Sequence, residues 1–153
     1  MKPFNYRKTY YKVTNATERH YDHQYKDGLN VDYLPFDNDT NHSCVPGGLY
    51  FTDLEYLPEF FSNGIFVRPI RIPAGEEVVV DADKFRAHRI ICKPRIDLVD
   101  FILKNPKLSK GDLYLSSLTS IPEGVTLSAG GDLYLGSLTS IPKGVTLSAG
   151  GYL

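Results

Sequence analysis

The sequence has no tryptophan, one methionine and only two cysteines, and its 17 basic residues are nearly balanced by 18 acidic ones. Two cysteines cannot form a disulfide framework, which favours a reducing compartment. A net charge of -1 lacks the basic surplus that general nucleic-acid binding requires. No apolar run approaches the roughly 20 residues that span a bilayer, and the N-terminal residues lack the apolar core of a signal peptide. The composition therefore predicts a soluble, globular, cytoplasmic protein without a membrane partner.

Motifs that would indicate a common enzyme class are also absent from the sequence. It contains no P-loop, no G-x-S-x-G elbow, no H-E-x-x-H helix and no dinucleotide-binding fingerprint. His20, His23, His42 and Cys44 have the ligand types of a zinc site, but the His-x-Cys spacing is tight for one tetrahedral centre. The sequence therefore predicts a polar loop at these positions, with neither a metal nor a cofactor.

The composition changes abruptly near residue 110. The aromatic residues are 11 tyrosines and eight phenylalanines, and fourteen of them lie within residues 1–66. Eight of the 13 glycines lie in the last 43 residues. A shift of this kind usually marks a change of architecture. We therefore expect two domains, a head at residues 1–104 and a repeat domain at residues 105–153.

The second part consists of a 20-residue repeat. Residues 111–130 and 131–150 differ at only two positions, and the final three residues resemble the start of a third copy. Each copy contains a Leu-x-Leu and a Val-x-Leu pattern, and this period of two is typical of short strands. A fixed period of this size indicates units that stack on one another.

The segment Leu138–Pro142 and its earlier copy resemble the L-t-s-L-P segment of short leucine-rich repeats in bacterial and viral proteins. The preceding Leu-x-Leu is similar to the concave strand of those repeats. The resemblance implies a stack of parallel strands. The predicted fold class is therefore an α+β head domain with a short, leucine-rich-repeat-like parallel β-solenoid at the C-terminal end.

The first 104 residues have the composition of an α+β domain. Thr52 and Glu55 have the spacing of a capping box, which predicts a helix that presents Leu57 and Phe61 on one face. A second short helix is expected at residues 97–104. Further segments have the composition of strands, namely residues 10–14, 47–51, 65–72, 77–80 and 87–92.

This part also resembles a domain of unknown function found in proteins of large DNA viruses and phages. The resemblance lies in Gln24–Asn30 (QYKDGLN), Cys44–Thr52 (CVPGGLYFT), Ile70–Pro73 and the segment from Lys84 to Ile91. In such proteins the domain is often attached to ankyrin or other repeats. The resemblance implies a viral source and a modular binding role.

An enzyme alternative comes from a second resemblance. Gly48–Thr52 is similar to the second strand element of the ADP-ribosyltransferase superfamily. This resemblance implies an NAD-dependent transferase in which a cleft for NAD joins Lys12, Tyr50 and a carboxylate. The acid would be Glu76 or Glu77, although Lys12 stands where the superfamily has histidine or arginine.

The favoured interpretation is a non-catalytic viral or phage module that binds a host or viral protein, with interference in host defence as one role. The alternatives are the ADP-ribosyltransferase acting on a host target and a virion structural protein. Tyrosine and arginine are typical contact residues of protein interfaces. The candidate binding residues are Tyr25, Tyr50, Arg68, Arg71, Tyr134 and Tyr152.

The repeats also suggest self-association. The second copy is followed by Tyr152 and Leu153, without a charged or helical segment that would cover its outer edge. An uncovered strand edge with apolar side chains favours pairing with another chain. Either the chain is a fragment of a longer repeat protein, or another molecule covers this edge, and for the chain alone we expect a homodimer that forms through residues 131–153.

Overall fold

The computed structural model describes residues 4–153, and most of its elements are short β-strands. There are fourteen strands, one α-helix and two 3-10 helices in these residues. The strands are β1 (Tyr10–Thr14), β2 (Arg19–His20), β3 (His23–Gln24), β4 (Gly28–Val31), β5 (Leu49–Phe51), β6 (Phe66–Arg71), β7 (Val78–Asp81), β8 (Lys84–Ala87), β9 (Arg89–Cys92), β10 (Ile96–Asp97), β11 (Leu113–Tyr114), β12 (Thr126–Ala129), β13 (Leu133–Tyr134) and β14 (Thr146–Ala149). The α-helix is α1 (Leu98–Lys104), and the 3-10 helices are Leu57–Asn63 and Pro106–Ser109.

Two antiparallel sheets and the two-stranded antiparallel hairpin β2–β3 form the N-terminal part. The first has the strand order β1-β6-β9-β4, with β10 paired to β6, and the second has the order β5-β8-β7. The sheets meet at an isolated bridge between Tyr11 and Thr52, whose backbone N–H groups each donate to the other residue's carbonyl oxygen at 2.8 Å. This bridge brings β1 next to the start of the segment that follows β5.

One hydrophobic cluster lies on a single face of the β1–β6 pair. Val13 and Val67 are opposite each other in the register, and both pack into this cluster with Leu98 and Ile102 of α1. The cluster continues into the repeat segment through buried leucines, namely Leu113, Leu115, Leu118, Leu127 and Leu133. The repeats and the N-terminal part therefore share a core.

A second hydrophobic cluster lies on the opposite face of the same two strands. Tyr10 and Ile70 are opposite each other and pack there with Phe51 and Phe85 of the second sheet. The ring centroid of Tyr10 lies 5.6 Å from that of Phe51 and 5.2 Å from that of Phe85. Because successive side chains of a strand point to opposite faces, β1 contributes alternately to the two clusters.

The predicted α+β head with a parallel β-solenoid tail is wrong. The described residues form mostly small antiparallel sheets, and their one α-helix has seven residues. Parallel pairing is confined to two two-stranded pieces, β11 with β13 and β12 with β14. The physical reason is that two copies provide each strand with one neighbour only, whereas a solenoid needs roughly three or more units to build a continuous stack.

The capping-box helix is also wrong. Residues Leu57–Asn63 form a 3-10 helix, and Tyr56 at its start makes no side-chain cap hydrogen bond. The carboxylate of Asp53 accepts the N–H of Tyr56 at 3.3 Å instead, and a proline occupies the first turn. The second short helix is confirmed, as α1, while the strand expected at residues 87–92 is interrupted at His88. Across residues 4–153, no helix is both long and apolar enough to cross a bilayer.

The two copies of the repeat contact each other through side chains that recur every 20 residues. The Oδ1 atom of Asp112 accepts the backbone N–H of Asp132 at 2.7 Å, and Asp132 accepts that of Tyr152 at the same distance. The rings of Tyr114 and Tyr134 stack with centroids 4.8 Å apart. These contacts keep the two copies in register.

The division between residues 104 and 105 stays a prediction. We expect residues 1–104 to fold without the repeats, but with a free energy of unfolding lower by about 3 kcal/mol, or roughly 15 °C in melting temperature. The reason is that removal of Leu113 and Leu115 uncovers α1 and the 3-10 helix Leu57–Asn63 in the first cluster. Circular dichroism melts of both fragments measure this. A cooperative melt of residues 105–153 alone would contradict the prediction.

Candidate binding site

A cleft of about 410 Å³ opens between β1, β5 and the segment that includes β2. Strand β1 contributes Lys12 and Thr14 to its wall, and Tyr50 lines it from β5. The volume falls in the range of sites that take small ligands or single side chains. The side chains that line it are mainly aromatic and cationic, and they include Tyr11, Arg19, His20, Tyr21, Tyr25, Phe51, Phe60 and Lys84.

Lys12 is the most unusual side chain in the cleft because it is a buried amine, 9% exposed. Its Nζ atom donates to the carbonyl oxygen of Tyr50 at 2.9 Å and lies 4.8 Å from the ring centroid of Tyr25. Within residues 4–153 no carboxylate forms an ion pair with it. Burial disfavours the charged amine and lowers the pKa of Lys12 to about 8.

The carboxylate that lines the cleft, Glu18, is occupied by other partners. Its Oε2 atom accepts from Arg68 Nε at 2.7 Å and from Thr14 Oγ1 at 2.9 Å. Its Oε1 atom accepts from Arg68 Nη2 at 2.9 Å and from Arg95 Nη1 at 3.1 Å. Burial alone would raise the pKa of Glu18, but the hydrogen bonds from Arg68, Thr14 and Arg95 outweigh it and keep the pKa below its usual value. Glu18 is therefore an ionised, fully bonded group.

The rim of the cleft carries a cysteine paired with a lysine. Lys84 Nζ lies 2.8 Å from the Sγ atom of exposed Cys44, and it also lies 5.5 Å from the ring centroid of Tyr50. The hydrogen bond from Lys84 lowers the pKa of the Cys44 thiol. The hydroxyl of Tyr21 donates to the carbonyl oxygen of Cys44 at 3.3 Å, which ties this loop to the β2–β3 hairpin.

The residues predicted for a transferase are only partly brought together. Lys12 and Tyr50 meet in the cleft, as described. Glu76 is buried and pairs with Arg89, whose Nη2 atom lies 2.7 Å from its Oε2 atom. Glu77 is exposed, and its Oε1 atom accepts from Asn38 at 3.2 Å. Neither glutamate lines the cleft.

The candidate binding residues occupy different environments. Tyr25 and Tyr50 are buried cleft-lining residues, and Tyr50 Oη donates to the carbonyl oxygen of Val45 at 2.9 Å. Arg68 is buried in the ion pair with Glu18 and a second one with Asp27. The remaining three are more accessible: half-buried Arg71, which donates to the carbonyl of Arg7, and exposed Tyr134 and Tyr152.

The histidines and Cys44 do not form a metal site. His42 Nδ1 lies 2.6 Å from Asp37 Oδ2, whereas His23 Nε2 lies 3.1 Å from Asn30 Oδ1. In the described part of the chain, no group of three His, Cys, Asp or Glu side chains could hold a metal ion. The loop around His42 is instead organised by an arginine.

That arginine, Arg86, is the structural residue that the sequence did not reveal. It is fully buried, and its guanidinium donates to the carbonyl oxygens of Asp37, His42 and Asp39 at 3.0, 2.9 and 2.6 Å. Its Nη1 atom also lies 3.5 Å from Asp81 Oδ2. All the carbonyl partners lie more than 40 residues away, so no local sequence pattern could identify them.

Proteins similar to this chain come from Acanthamoeba polyphaga mimivirus, a large DNA virus. "Putative ankyrin repeat protein R868" is 35% identical in an alignment of 113 residues that covers 70% of this chain and 56% of that protein. "Putative ankyrin repeat protein R229" is 35% identical in an alignment of 109 residues that covers 61% of this chain and 35% of the relative. "Uncharacterized protein R869" is 41% identical over 66 residues, or 43% and 48% of the two chains. No protein-family model and no solved structure matches the chain.

The predicted likeness to proteins of large DNA viruses is confirmed by these relatives. The chain spans between 35% and 56% of the lengths of the three relatives. Nothing in these matches supports the leucine-rich repeat or a phage origin. Ankyrin repeats consist of helix pairs, and the one α-helix in residues 4–153 has seven residues, so the described chain contains no unit of that kind.

Replacing Lys12 with methionine is expected to raise the free energy of unfolding by about 2 kcal/mol near pH 7. A pKa lowered from 10.5 to about 8 corresponds to a cost on the order of 3 kcal/mol for the charged amine. Loss of the hydrogen bond to the Tyr50 carbonyl offsets about 1 kcal/mol of the gain. Urea denaturation measures the difference.

The difference in the free energy of unfolding between Lys12→Met and the wild type should become smaller at high pH. Lys12 has a lower pKa in the folded chain than in the unfolded chain, so the unfolded chain binds more protons between about pH 8 and 10.5. The free energy of unfolding of the wild type therefore rises with pH through that window. The stability advantage of Lys12→Met over the wild type becomes smaller. A variant that is less stable near pH 7, or a difference that pH leaves unchanged, would contradict the pKa assigned to Lys12.

Proposed function

We propose that this chain is a non-catalytic viral protein-interaction module that binds a host or viral protein, with interference in host defence as one role. The observation that carries the proposal is the cleft, whose walls are aromatic and whose cations include Lys12, Arg19 and Lys84. Aromatic side chains next to basic ones are the typical composition of interface contact sites. The names of the mimivirus relatives support the same class, because repeat proteins present extended binding surfaces.

The rim of the cleft is pre-ordered, which favours binding. Tyr21 is exposed and its ring lies against that of His20, with centroids 4.3 Å apart. Tyr21 and Asp22 occupy the turn between β2 and β3 with positive φ angles of 48° and 61°. Two successive positive φ angles are typical of the type I′ hairpin turn. This tight turn holds the backbone that carries the Tyr21 side chain. An aromatic contact that is already ordered loses little conformational entropy on binding.

The transferase alternative is less well supported. A transferase needs a carboxylate that is free to act on the reacting centre. The cleft contains Lys12 and Tyr50, but its carboxylate, Glu18, is bonded to two arginines and a threonine. Glu76 and Glu77 have partners elsewhere. We therefore favour binding over catalysis.

The protein partner should depend on the charge of the rim. Arg19 lines the cleft, and its side chain is exposed, so Arg19→Glu changes the rim by two charges without disturbing the core. The matched control is Lys143→Glu, because Lys143 is exposed and the equivalent position of the first copy, Glu123, already carries glutamate. We expect wild type and control to retain the same protein from Acanthamoeba lysate, and Arg19→Glu to retain at least tenfold less. Mass spectrometry of the bound fraction measures this, and a wild type that retains no specific protein would contradict the proposal.

A second surface of the proposed module lies in the repeats. Ile141, Tyr152 and Leu153 expose 63%, 83% and 70% of their surface. Strand β14 has one pairing partner within the described residues, whereas the outer edge of β13 is partly covered because the Leu133 N–H donates to the Tyr152 carbonyl oxygen. Apolar side chains beside a free strand edge are a pairing surface. We propose that a second copy of the chain covers it, because a two-fold pairing of identical patches closes the assembly.

Self-association should be sensitive to charge at this surface. Tyr152→Lys is expected to convert the dimer to a monomer at concentrations of about 50 µM while the secondary structure is kept, because a buried ammonium opposes pairing. Tyr33→Lys is the matched control, since Tyr33 is also an exposed tyrosine but lies outside the repeats. Light scattering distinguishes the two masses. A wild-type chain that stays monomeric at this concentration would contradict the proposed dimer.

A further inference from the structure

Three basic side chains are buried in the described residues, and Lys12 differs from the other two. Arg68 pairs with the carboxylates of Glu18 and Asp27. Arg86 donates to three backbone carbonyls and lies beside a carboxylate, that of Asp81. Lys12 has one hydrogen bond, to a neutral carbonyl oxygen, and an aromatic ring above it. A buried charge without a counter-charge is costly, so this amine lacks the partner that the other two have.

The missing partner would have to come from outside the chain, through the cleft. An ammonium group has three donors, and within residues 4–153 only one of those of Lys12 makes a hydrogen bond. Arg19 and Lys84 line the same cleft, while the charge of Glu18 is already compensated by Arg68 and Arg95. The wall of the cleft therefore carries a cation without a counter-charge, Lys12, and the other charged side chains that line the cleft give it a net positive charge.

We propose that the cleft binds the oxyanion of an acidic side chain of a partner protein, with Lys12 as its charged contact. The aromatic walls, including Tyr25 and Tyr21, would pack against the apolar part of that side chain. The inference rests on the proposed function for the source of the anion, a partner protein. The chemistry of the site does not depend on that source, and a carboxylate and a phosphate both satisfy it.

The affinity for an anion should fall as Lys12 loses its proton. Only the protonated amine pairs with an oxyanion, so above about pH 8 the affinity falls by roughly tenfold per pH unit. The other groups around the amine do not titrate in this range: the pKa of Cys92 is raised to about 11 and that of Tyr25 is raised, in both cases by burial. Burial lowers the pKa of His20, and the pKa values of Glu18 and Arg68 move away from neutrality, so none of these three changes charge.

One further group, at the rim of the cleft, has a shifted pKa. The pKa of Cys44 is lowered by the hydrogen bond from Lys84, whose own pKa is raised by that contact. A thiolate at the rim would repel an anion and would add to the effect of Lys12. Measurements on the Cys44→Ser chain separate the two titrations.

The test uses small aromatic anions and the full chain. Benzoate and phenyl phosphate are titrated by calorimetry and by ligand-detected NMR near pH 7, with benzyl alcohol and benzylamine as the neutral and cationic counterparts. We expect both or one of the anions to bind, with at least tenfold weaker binding to Lys12→Met. Arg19→Glu should weaken binding severalfold as a second variant, and Lys143→Glu should leave it unchanged. Benzoate alone would assign the site to carboxylates, and phenyl phosphate alone to phosphorylated side chains.

The outcomes separate this inference from the proposed function. If neither anion binds, if the neutral or cationic compound binds as well, or if Lys12→Met binds the anions as the wild type does, the inference is wrong. Retention of a specific protein from lysate would then still support the interaction module. Conversely, Lys12-dependent binding of an anion without any retained protein would support the anion site and remove the protein partner as its source.

Discussion

The alternation of side chains along β1 is the constraint on which the rest of the structure depends. Because side chains alternate along a strand, Lys12 lies on the same face as Tyr10, which packs against the second sheet, and its Nζ atom reaches a carbonyl oxygen of β5. Tyr11 and Val13 point to the opposite face and pack against the cluster that extends into the repeats. The strand thus belongs to two cores at once. The burial of an amine is a consequence of this register, and a shift by one residue would reverse both faces.

Buried charge is compensated unevenly along one face of the β1–β6 pair. Lys12 and Arg68 are opposite each other in the register, so their side chains lie on the same face. Arg68 is bonded to Glu18, which also accepts a hydrogen bond from Arg95. Lys12, next to this network, has only a carbonyl oxygen and an aromatic ring as partners. Because a buried charge is stabilised by specific partners, the proposed anion site lies at the point where this network ends.

Local patterns in the sequence predict the elements better than the site. Residues 10–14 form the expected strand and residues 98–104 the expected helix, because strand composition and a short apolar period act locally. The solenoid was overpredicted, since periodicity reveals that copies are related but not that two of them suffice to build a stack. Arg86 and its three carbonyls were missed because those contacts join distant loops. Lys12 was found through resemblance, but its burial without a carboxylate follows only from the packing of both sheets.

The repeat segment has a direction. Asp112 accepts a hydrogen bond from the backbone of the following copy, and Asp132 does the same for Tyr152, so each aspartate orders the chain that comes after it. A substitution at Asp112 would loosen the second copy, whereas one at Asp132 would leave the first copy intact. Because each copy depends on the one before it, amide protons should exchange fastest at the C-terminal copy and more slowly toward the N-terminal core. The buried leucines of the first copy pack in one cluster with α1, and the second copy is in turn ordered by its contacts with the first.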